Sequence, residues 1–455
     1  MELQQRLDAC FKAYDVRGRV PEVLDDALAY RIGRAFAEYL GARRIVVGGD
    51  VRDSSESLKK ALSLGLIDAG CEVIDIGLCG TEEIYFATFH LGLDGGVMVT
   101  ASHNPLGWNG MKLVREEARP ISGDAGLNEI KNLVAQTAVG DLDREPAVQK
   151  LDNRPAFVEH LLGYIDTAKL RKLKIVANPG NGGAGLVVNA LEPHLPFSFE
   201  KVFFEPDGSF PNGVPNPLLP QNREATAHAV RETGADFGIA WDGDFDRCFF
   251  FDEQGNFIEG YYLVGLLGAQ MLGKHPGTAV VYEPRLTWNT IDMVKAAGGK
   301  PVLSKTGHAF LKASLRECDA VYGGEMSAHH YFRDFNYCDS GMIPWLLIAE
   351  RLSESGASLS SLIRERIAAF PCSGEINRTV KDADAVITAI ERHYADDALA
   401  IDHTDGVSME FAEWRFNLRK SNTEPVIRLN VEARGDASLM QQQTEALLGL
   451  VGGKA

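Results

Sequence analysis

The chain has 455 residues, enough for about two to four domains that each bury a core of their own. Apolar residues make up 45% and charged ones 24%, which excludes a disordered chain, a collagen and a small disulfide scaffold. With 46 Lys and Arg against 63 Asp and Glu the formal charge is −17, a poor basis for binding nucleic acid or an anionic membrane, although a small anion remains possible wherever cations are gathered locally.

In chain order, apolar strand-like runs alternate with helical periodicity, and the alternation repeats three times. The first repeat predicts a strand over 45–50, a helix over 54–70, a strand over 71–77, a helix over 81–92 and a strand over 95–105. The second places strands at 174–179, 200–208 and 235–246, with helices at 182–194 and 223–234. The third places strands at 279–285, 300–307 and 320–330, with helices at 287–298 and 308–318. Each repeat reads βαβαβ, the pattern of an α/β sheet, mixed but mostly parallel, with helices on both faces. The last ninety or so residues differ: a helix at 382–394, strands at 407–411, 414–419 and 426–434, and a helix from 437, which together predict an antiparallel α+β module. These signals divide the chain into 1–148, 149–251, 252–367 and 368–455, with linkers near 137–155 and Phe370-Pro371.

Seven scattered cysteines, odd in number and without C-x-x-C, read as buried thiols of a reducing compartment rather than zinc ligands or disulfides. The start MELQQRLDACFKAYD has no apolar h-region, and the longest apolar run, 261–272, falls short of the roughly 18 residues a membrane span needs. A cytoplasmic protein with no membrane, nucleic-acid or obligate protein partner is expected.

Each repeat ends in a polar loop after its third strand, the place where open α/β sheets bind ligands. In the first, Thr100-Ala101-Ser102-His103-Asn104-Pro105 is followed by Lys112. Ser102 could be a nucleophile with His103 and Lys112 as partners, or part of a Ser/Asn/Pro turn. In the second, Asp242, Asp244 and Asp246 alternate before Arg247, a spacing that lets three carboxylates converge on one hard cation such as Mg²⁺. An EF-hand fails, because Arg247 stands where glycine is required. Gly180-Asn181-Gly182-Gly183-Ala184-Gly185 matches the dinucleotide G-x-G-x-x-G, yet the other two repeats have no glycines in that turn, so it reads mainly as a tight helix entrance. In the third repeat, on a loop shared with His329, Glu325 and Ser327 could read vicinal sugar hydroxyls or simply form a satisfied loop, and Gly307 and His308 end the preceding strand, His308 being a proton carrier or a structural histidine. The terminal module carries Arg419, Ser421, Asn422, Thr423 and Arg428 between two strands, an oxyanion clamp or a charged hairpin.

Taken jointly, the serine loop, the three-aspartate loop, Gly324-Glu325-Met326-Ser327 and Arg419-Lys420-Ser421-Asn422-Thr423-Glu424-Pro425, in this order, resemble the α-D-phosphohexomutase family over the whole chain, from Phe11-Lys12-Ala13-Tyr14-Asp15-Val16-Arg17-Gly18 onward. The likeness is greatest to bacterial phosphomannomutases and bifunctional phosphomannomutase/phosphoglucomutases. The resemblance implies three similar α/β domains and a C-terminal TATA-binding-protein-like domain around a central cleft. It implies reversible phosphoryl transfer between O1 and O6 of mannose and glucose phosphates, through phosphorylated Ser102 and a hexose 1,6-bisphosphate that also serves as activator.

Carried over residue by residue, Ser102 and the three aspartates would hold Mg²⁺, and Ser102, His103, Lys112, Arg247 and His308 would be catalytic. Tyr14, Arg17, Arg285, Gly307, His308, Glu325, Ser327 and His329 would contact the sugar phosphate. Arg419, Ser421, Asn422, Thr423 and Arg428 would hold the phosphate that is not reacting. Three departures from the family pattern stand out: Leu106-Gly107-Trp108, Ala328 in place of a glycine, and Arg285 where some relatives have lysine. The alternatives are a phosphoglucosamine mutase, against which Met326 argues because those enzymes carry Gln there, and a Mg²⁺-dependent phosphoserine-type sugar phosphatase.

Overall fold

Residues 1–421 and 426–452 are described by a computed structural model. They form two compact units: residues 1–257 with 334–356, and residues 258–333 with the rest of the chain.

The first unit holds two sheets. Across the first, the strands lie in the order Val16–Arg19, Trp108–Arg115, Gly95–Val99, Arg44–Gly49, Glu72–Leu78, Gln149–Lys150. The last four are mutually parallel, and Trp108–Arg115 runs antiparallel to Gly95–Val99. The core strands are continuous apolar runs because helices cover both faces. Helices Asp26–Leu40 and Ser55–Asp68 pack at close range through glycine: a Cβ on Gly33 would lie 2.2 Å from the Leu62 carbonyl oxygen, and one on Gly65 would lie 2.0 Å from that of Tyr30. Asp25 caps the first of them, its carboxylate accepting the Leu28 N–H at 2.9 Å. In the second sheet Cys248–Phe251, Phe237–Trp241, Lys174–Asn178 and Ser198–Lys201 lie side by side, the first antiparallel and the others parallel.

In the second unit Lys300–Leu303, Ala279–Tyr282 and Tyr322–Gly324 are parallel neighbours, and His330–Phe332 returns antiparallel to the last. The terminal module is an antiparallel sheet in the order Ile376–Thr379, Val426–Ala433, Trp414–Lys420, Val407–Glu410, Ala400–Asp402. Its core of Val407, Met409, Phe416, Leu418, Leu429 and Val431 is closed by residues of helices Ala383–Tyr394 and Ala437–Val451.

The predicted elements are present in part: the strand expected over 200–208 is Ser198–Lys201 and that over 235–246 stops at Trp241, and three further differences are informative. The strand expected over 95–105 stops at Val99, so TASHNP is loop, and Trp108–Arg115 follows as a strand of its own. The run expected over 320–330 is two strands with a reversal between them, closed by the Glu325 N–H on the His329 carbonyl at 2.9 Å and by Ala328 at φ 70°. Short edge strands Ile376–Thr379 and Ala400–Asp402 flank the terminal sheet. All seven cysteines are free. Among the described residues no helix is long and apolar enough to cross a membrane.

Candidate active site

In the first unit the loop after Gly95–Val99 meets the loop after Phe237–Trp241. Ser102 is buried, with φ 47°, and its Oγ donates to Asp242 Oδ2 at 2.7 Å while lying 2.9 Å from His103 Nδ1. Arg247 donates to the same Asp242 oxygen from Nε at 2.9 Å and Nη2 at 2.6 Å, and also contacts His103 Nδ1. Lys112, projecting from the strand Trp108–Arg115, pairs with Asp244 Oδ2 at 2.7 Å and with Asp246. Thr81 Oγ1 adds a hydrogen bond to Asp244 at 2.6 Å.

Burial is the largest single influence on the Asp242 carboxyl and would raise it, but Arg247, His103 and Lys112 together outweigh it and hold the group well below the usual carboxylate range. Asp244 is lowered too: burial and the neighbouring Asp242 oppose this, and Lys112 and Arg17 together prevail. His103 keeps its outer face exposed, yet desolvation at its inner edge and the adjacent Arg247 push it down to about 4, so the imidazole is neutral near pH 7.

Ligand oxygens of Asp242, Asp244 and Asp246 lie within 4.8 Å of one another. Oδ1 of Asp242 and of Asp244 are buried without a hydrogen-bond partner among the described residues. Buried carboxylate oxygens left over in this way are costly unless a cation takes them. An all-oxygen donor set with room for further ligands fits a hard divalent ion.

The serine loop hangs on a side chain that motif reasoning passed over. Arg52, from the turn after Arg44–Gly49, donates Nη2 to the carbonyls of Ser102 (2.9 Å) and Asn104 (2.6 Å), and Nη1 to those of Pro105 and Trp108 (both 3.1 Å). Asp50 fixes the other side: it accepts from Thr100 Oγ1 at 2.7 Å, and Thr100 Oγ1 in turn accepts the Ser102 N–H at 2.8 Å. Phe210 lies against Arg52, its ring centroid 5.3 Å from the guanidinium carbon. Arg17 Nη1 adds a bond to Asn104 Oδ1 at 2.8 Å, and Tyr14 sits half-buried just before Arg17.

A second cluster lies within the second unit. Glu325 is buried and accepts from the Tyr331 hydroxyl at 2.5 Å; Ser327 Oγ lies 3.3 Å from Arg285 Nη2. Arg285 also binds Glu283 through Nε at 2.6 Å and Glu375 through Nη1 at 3.3 Å. Glu375 further accepts from Arg419 at 3.0 Å and from Arg428 at 3.3 Å, and Arg428 reaches Ser421 Oγ at 3.3 Å.

The sequence matches phosphoglucomutase/phosphomannomutase models along nearly its whole length: alpha/beta/alpha domain I at residues 8–139, domain II at 155–255, domain III at 259–370 and the C-terminal domain at 375–449. The chain belongs to the phosphoglucomutase/phosphomannomutase family. It is an enzyme of the phosphohexose mutase class. It is 61% identical to phosphohexose mutases of Xanthomonas campestris over 97% of its length and 99% of theirs. Against the phosphomannomutase of Escherichia coli K12 it is 58% identical over 97% of this chain and 98% of that one. A phosphoglucomutase/phosphomannomutase family protein from Burkholderia thailandensis superposes with a TM-score of 0.86 at 32% identity, covering 98% of both chains.

Of the residues singled out from sequence, Ser102, His103, Lys112, Arg247 and the three aspartates meet in one cluster, with Arg17 tied to its serine loop. Arg285, Glu325, Ser327, Arg419, Ser421 and Arg428 meet in the other. Gly307, at φ 122°, immediately precedes the helix His308–Cys318, which half-buried His308 opens. His329 is half-buried and stacks on Tyr331 with centroids 6.1 Å apart. Asn422 and Thr423 lie outside the described residues. Sequence reasoning missed Asp50, Arg52, Glu283 and Glu375. For Asp50 and Arg52 a signal existed: an acid and an arginine at the carboxyl end of a parallel strand.

Proposed function

We propose that this family member moves a phosphoryl group between O1 and O6 of glucose and mannose phosphates, with phosphorylated Ser102 as donor and a hexose 1,6-bisphosphate as intermediate and activator. The observation that carries this reading is the environment of Ser102: a buried hydroxyl within hydrogen-bond reach of Asp242 and His103, on a loop strapped down by Arg52. Asp242, Asp244 and Asp246, with an oxygen on Ser102, would hold Mg²⁺, which when bound offsets the negative charge gathered at the reacting phosphoryl.

The chain's own residues do the rest. As the bond from phosphorus to Ser102 Oγ breaks, a bond to the sugar hydroxyl oxygen forms, and we assign the hydroxyl proton to His308. Lys112, kept protonated by Asp244 and Asp246 against its own desolvation, acts as a cation and not as a base. Arg247 faces the serine oxygen as charge develops there. Glu325 and Ser327 read vicinal hydroxyls that glucose and mannose share, and Arg285, Gly307, His329, Tyr14 and Arg17 are further groups proposed to contact the sugar phosphate. Arg419, Ser421 and Arg428, with Asn422 and Thr423 of the same segment, bind the other phosphate. Once the bisphosphate has reoriented, its second phosphoryl returns to Ser102. Seven free thiols fit a cytoplasmic setting.

A coupled assay with glucose 1-phosphate and mannose 1-phosphate, primed with bisphosphate, tests the reading. Both sugars should turn over, with kcat/KM values within roughly two orders of magnitude, since no group dedicated to C2 is evident. Intact-mass measurement should show a phosphate-sized adduct that Ser102→Ala lacks, and Ser102→Ala should lose at least about 10³-fold in kcat. A fully active Ser102→Ala enzyme, or release of inorganic phosphate faster than isomerisation, would overturn it.

A further inference from the structure

The cluster proposed to hold the non-reacting phosphate is already neutralised from within. Arg285, Arg419 and Arg428 contribute three positive charges, and Glu283, Glu325 and Glu375 contribute three negative ones close by. Asp405 lies a further 4.0 Å from Arg419. A sugar phosphate brings about two more negative charges near neutral pH. It can bind these guanidiniums strongly only if a resident carboxylate gives way.

The three glutamates are not equally fixed. Glu283 is buried and accepts the main-chain N–H groups of Arg285 (2.9 Å) and Met326 (3.1 Å) as well as Arg285 Nε. Glu325 is buried and held by Tyr331. Glu375 has no such anchor: among the described residues its carboxylate accepts only from the guanidiniums of Arg285, Arg419 and Arg428. Its side chain is also the most accessible of the three, 20% exposed against 4% for the others. Meanwhile Arg419 Nε is buried with no partner among the described residues, a donor that an incoming anion could satisfy.

We propose that Glu375 is the built-in counterion of the phosphate clamp, displaced from the three guanidiniums when the substrate's phosphate takes them. This rests on the mutase reading above. Without a counterion, three like charges would face each other across a partly desolvated space; burial and Arg285 together already weaken the hold of Arg419 on its proton. With one, the binding-competent cluster is only fractionally available, and apparent affinity falls by that fraction. A bisphosphate that must be gripped, let go and gripped again in the opposite sense is served by such a moderated clamp, because equal tightening of every bound state would slow release without helping chemistry.

The test compares wild type, Glu375→Gln and Glu375→Asp as full-length enzymes, titrated calorimetrically with inorganic phosphate and with glucose 1-phosphate. Glu375→Gln should bind inorganic phosphate about fivefold to tenfold more tightly, as expected for removal of an internal competitor. Its KM should fall together with kcat. Glu375→Asp, which keeps the charge but loosens its reach, should shift affinity in the same direction by less. Should Glu375→Gln fail to fold, the aspartate variant decides alone. Unchanged or weaker phosphate binding in the folded variants overturns the proposal and makes Glu375 a structural tie. If no hexose phosphate is isomerised by wild type, the mutase reading falls, and the inorganic phosphate titration still judges the counterion.

Discussion

Arg52 is 5% exposed and spends both terminal nitrogens on four main-chain carbonyls of the segment from Ser102 to Trp108. A hydrogen bond to a charged group contributes about 1.5–3 kcal/mol, and a buried carbonyl left without its donor costs about as much as the bond. Arg52→Met keeps most of the bulk and removes every donor. It should lower stability by about 2–4 kcal/mol, less than the sum of four bonds because the loop relaxes. Denaturant unfolding and steady-state kinetics check this, with kcat falling more than KM because the loop positions the reacting oxygen and not the sugar. Arg52→Lys should recover little, since one ammonium cannot span four carbonyls. Ser102 and the three aspartates were legible because their chemistry is carried by residue type and short spacing. The four carbonyls that Arg52 takes and the three arginines that Glu375 takes were not, because an arginine's or a glutamate's partners are set by which loops the fold brings to it.

At the scale of elements, glycine placement decides how closely layers approach. Helix Ser55–Asp68 rests on helix Asp26–Leu40 through Gly65 and Gly33, each facing the other's backbone. Gly65→Ala would drive a methyl into the Tyr30 carbonyl, and neither backbone can yield without shifting a helix. Despite alanine's better helix propensity, the substitution should cost about 1–3 kcal/mol or more by overpacking. A lowered midpoint in thermal or denaturant unfolding, with kcat largely kept, is the expected signature; unchanged stability would mean that the helices move apart freely. The glycine-rich turn at 180–185 has the same explanation. Gly182 would place a Cβ 2.9 Å from the Gly243 carbonyl, and Gly183 would place one 3.1 Å from the Phe245 ring, so this turn seats the aspartate loop. Its dinucleotide-like spacing is a packing requirement, which periodicity alone could not reveal.

For the molecule as a whole, the balance of charge at the aspartate cluster predicts how it responds to losing metal. Three buried carboxylates face Lys112 and Arg247, which leaves the cluster with one negative charge in excess and two buried oxygens unpartnered among the described residues. Chelation should abolish turnover while circular dichroism reports an intact fold, because lysine and arginine already hold the loops in place. Adding Mg²⁺ at a hundredfold excess over its dissociation constant should restore activity and stabilise by about 2.7 kcal/mol, read as a rise in unfolding midpoint. Retained turnover after complete chelation would show that the carboxylates serve only Lys112 and Arg247. From sequence alone the repeated α/β units, the antiparallel terminal module and the polar loops that carry Ser102, the three aspartates and Glu325 could be read, since strand and helix periods and local motif spacing are properties of neighbouring residues. Tertiary structure alone decided that Trp108–Arg115 turns back to carry Lys112 to the aspartates, that Arg52 straps the serine loop, and that three arginines from separate segments close on Glu375. These depend on contacts between residues far apart in the chain, where the energy of a buried charge is set by whatever the fold places beside it.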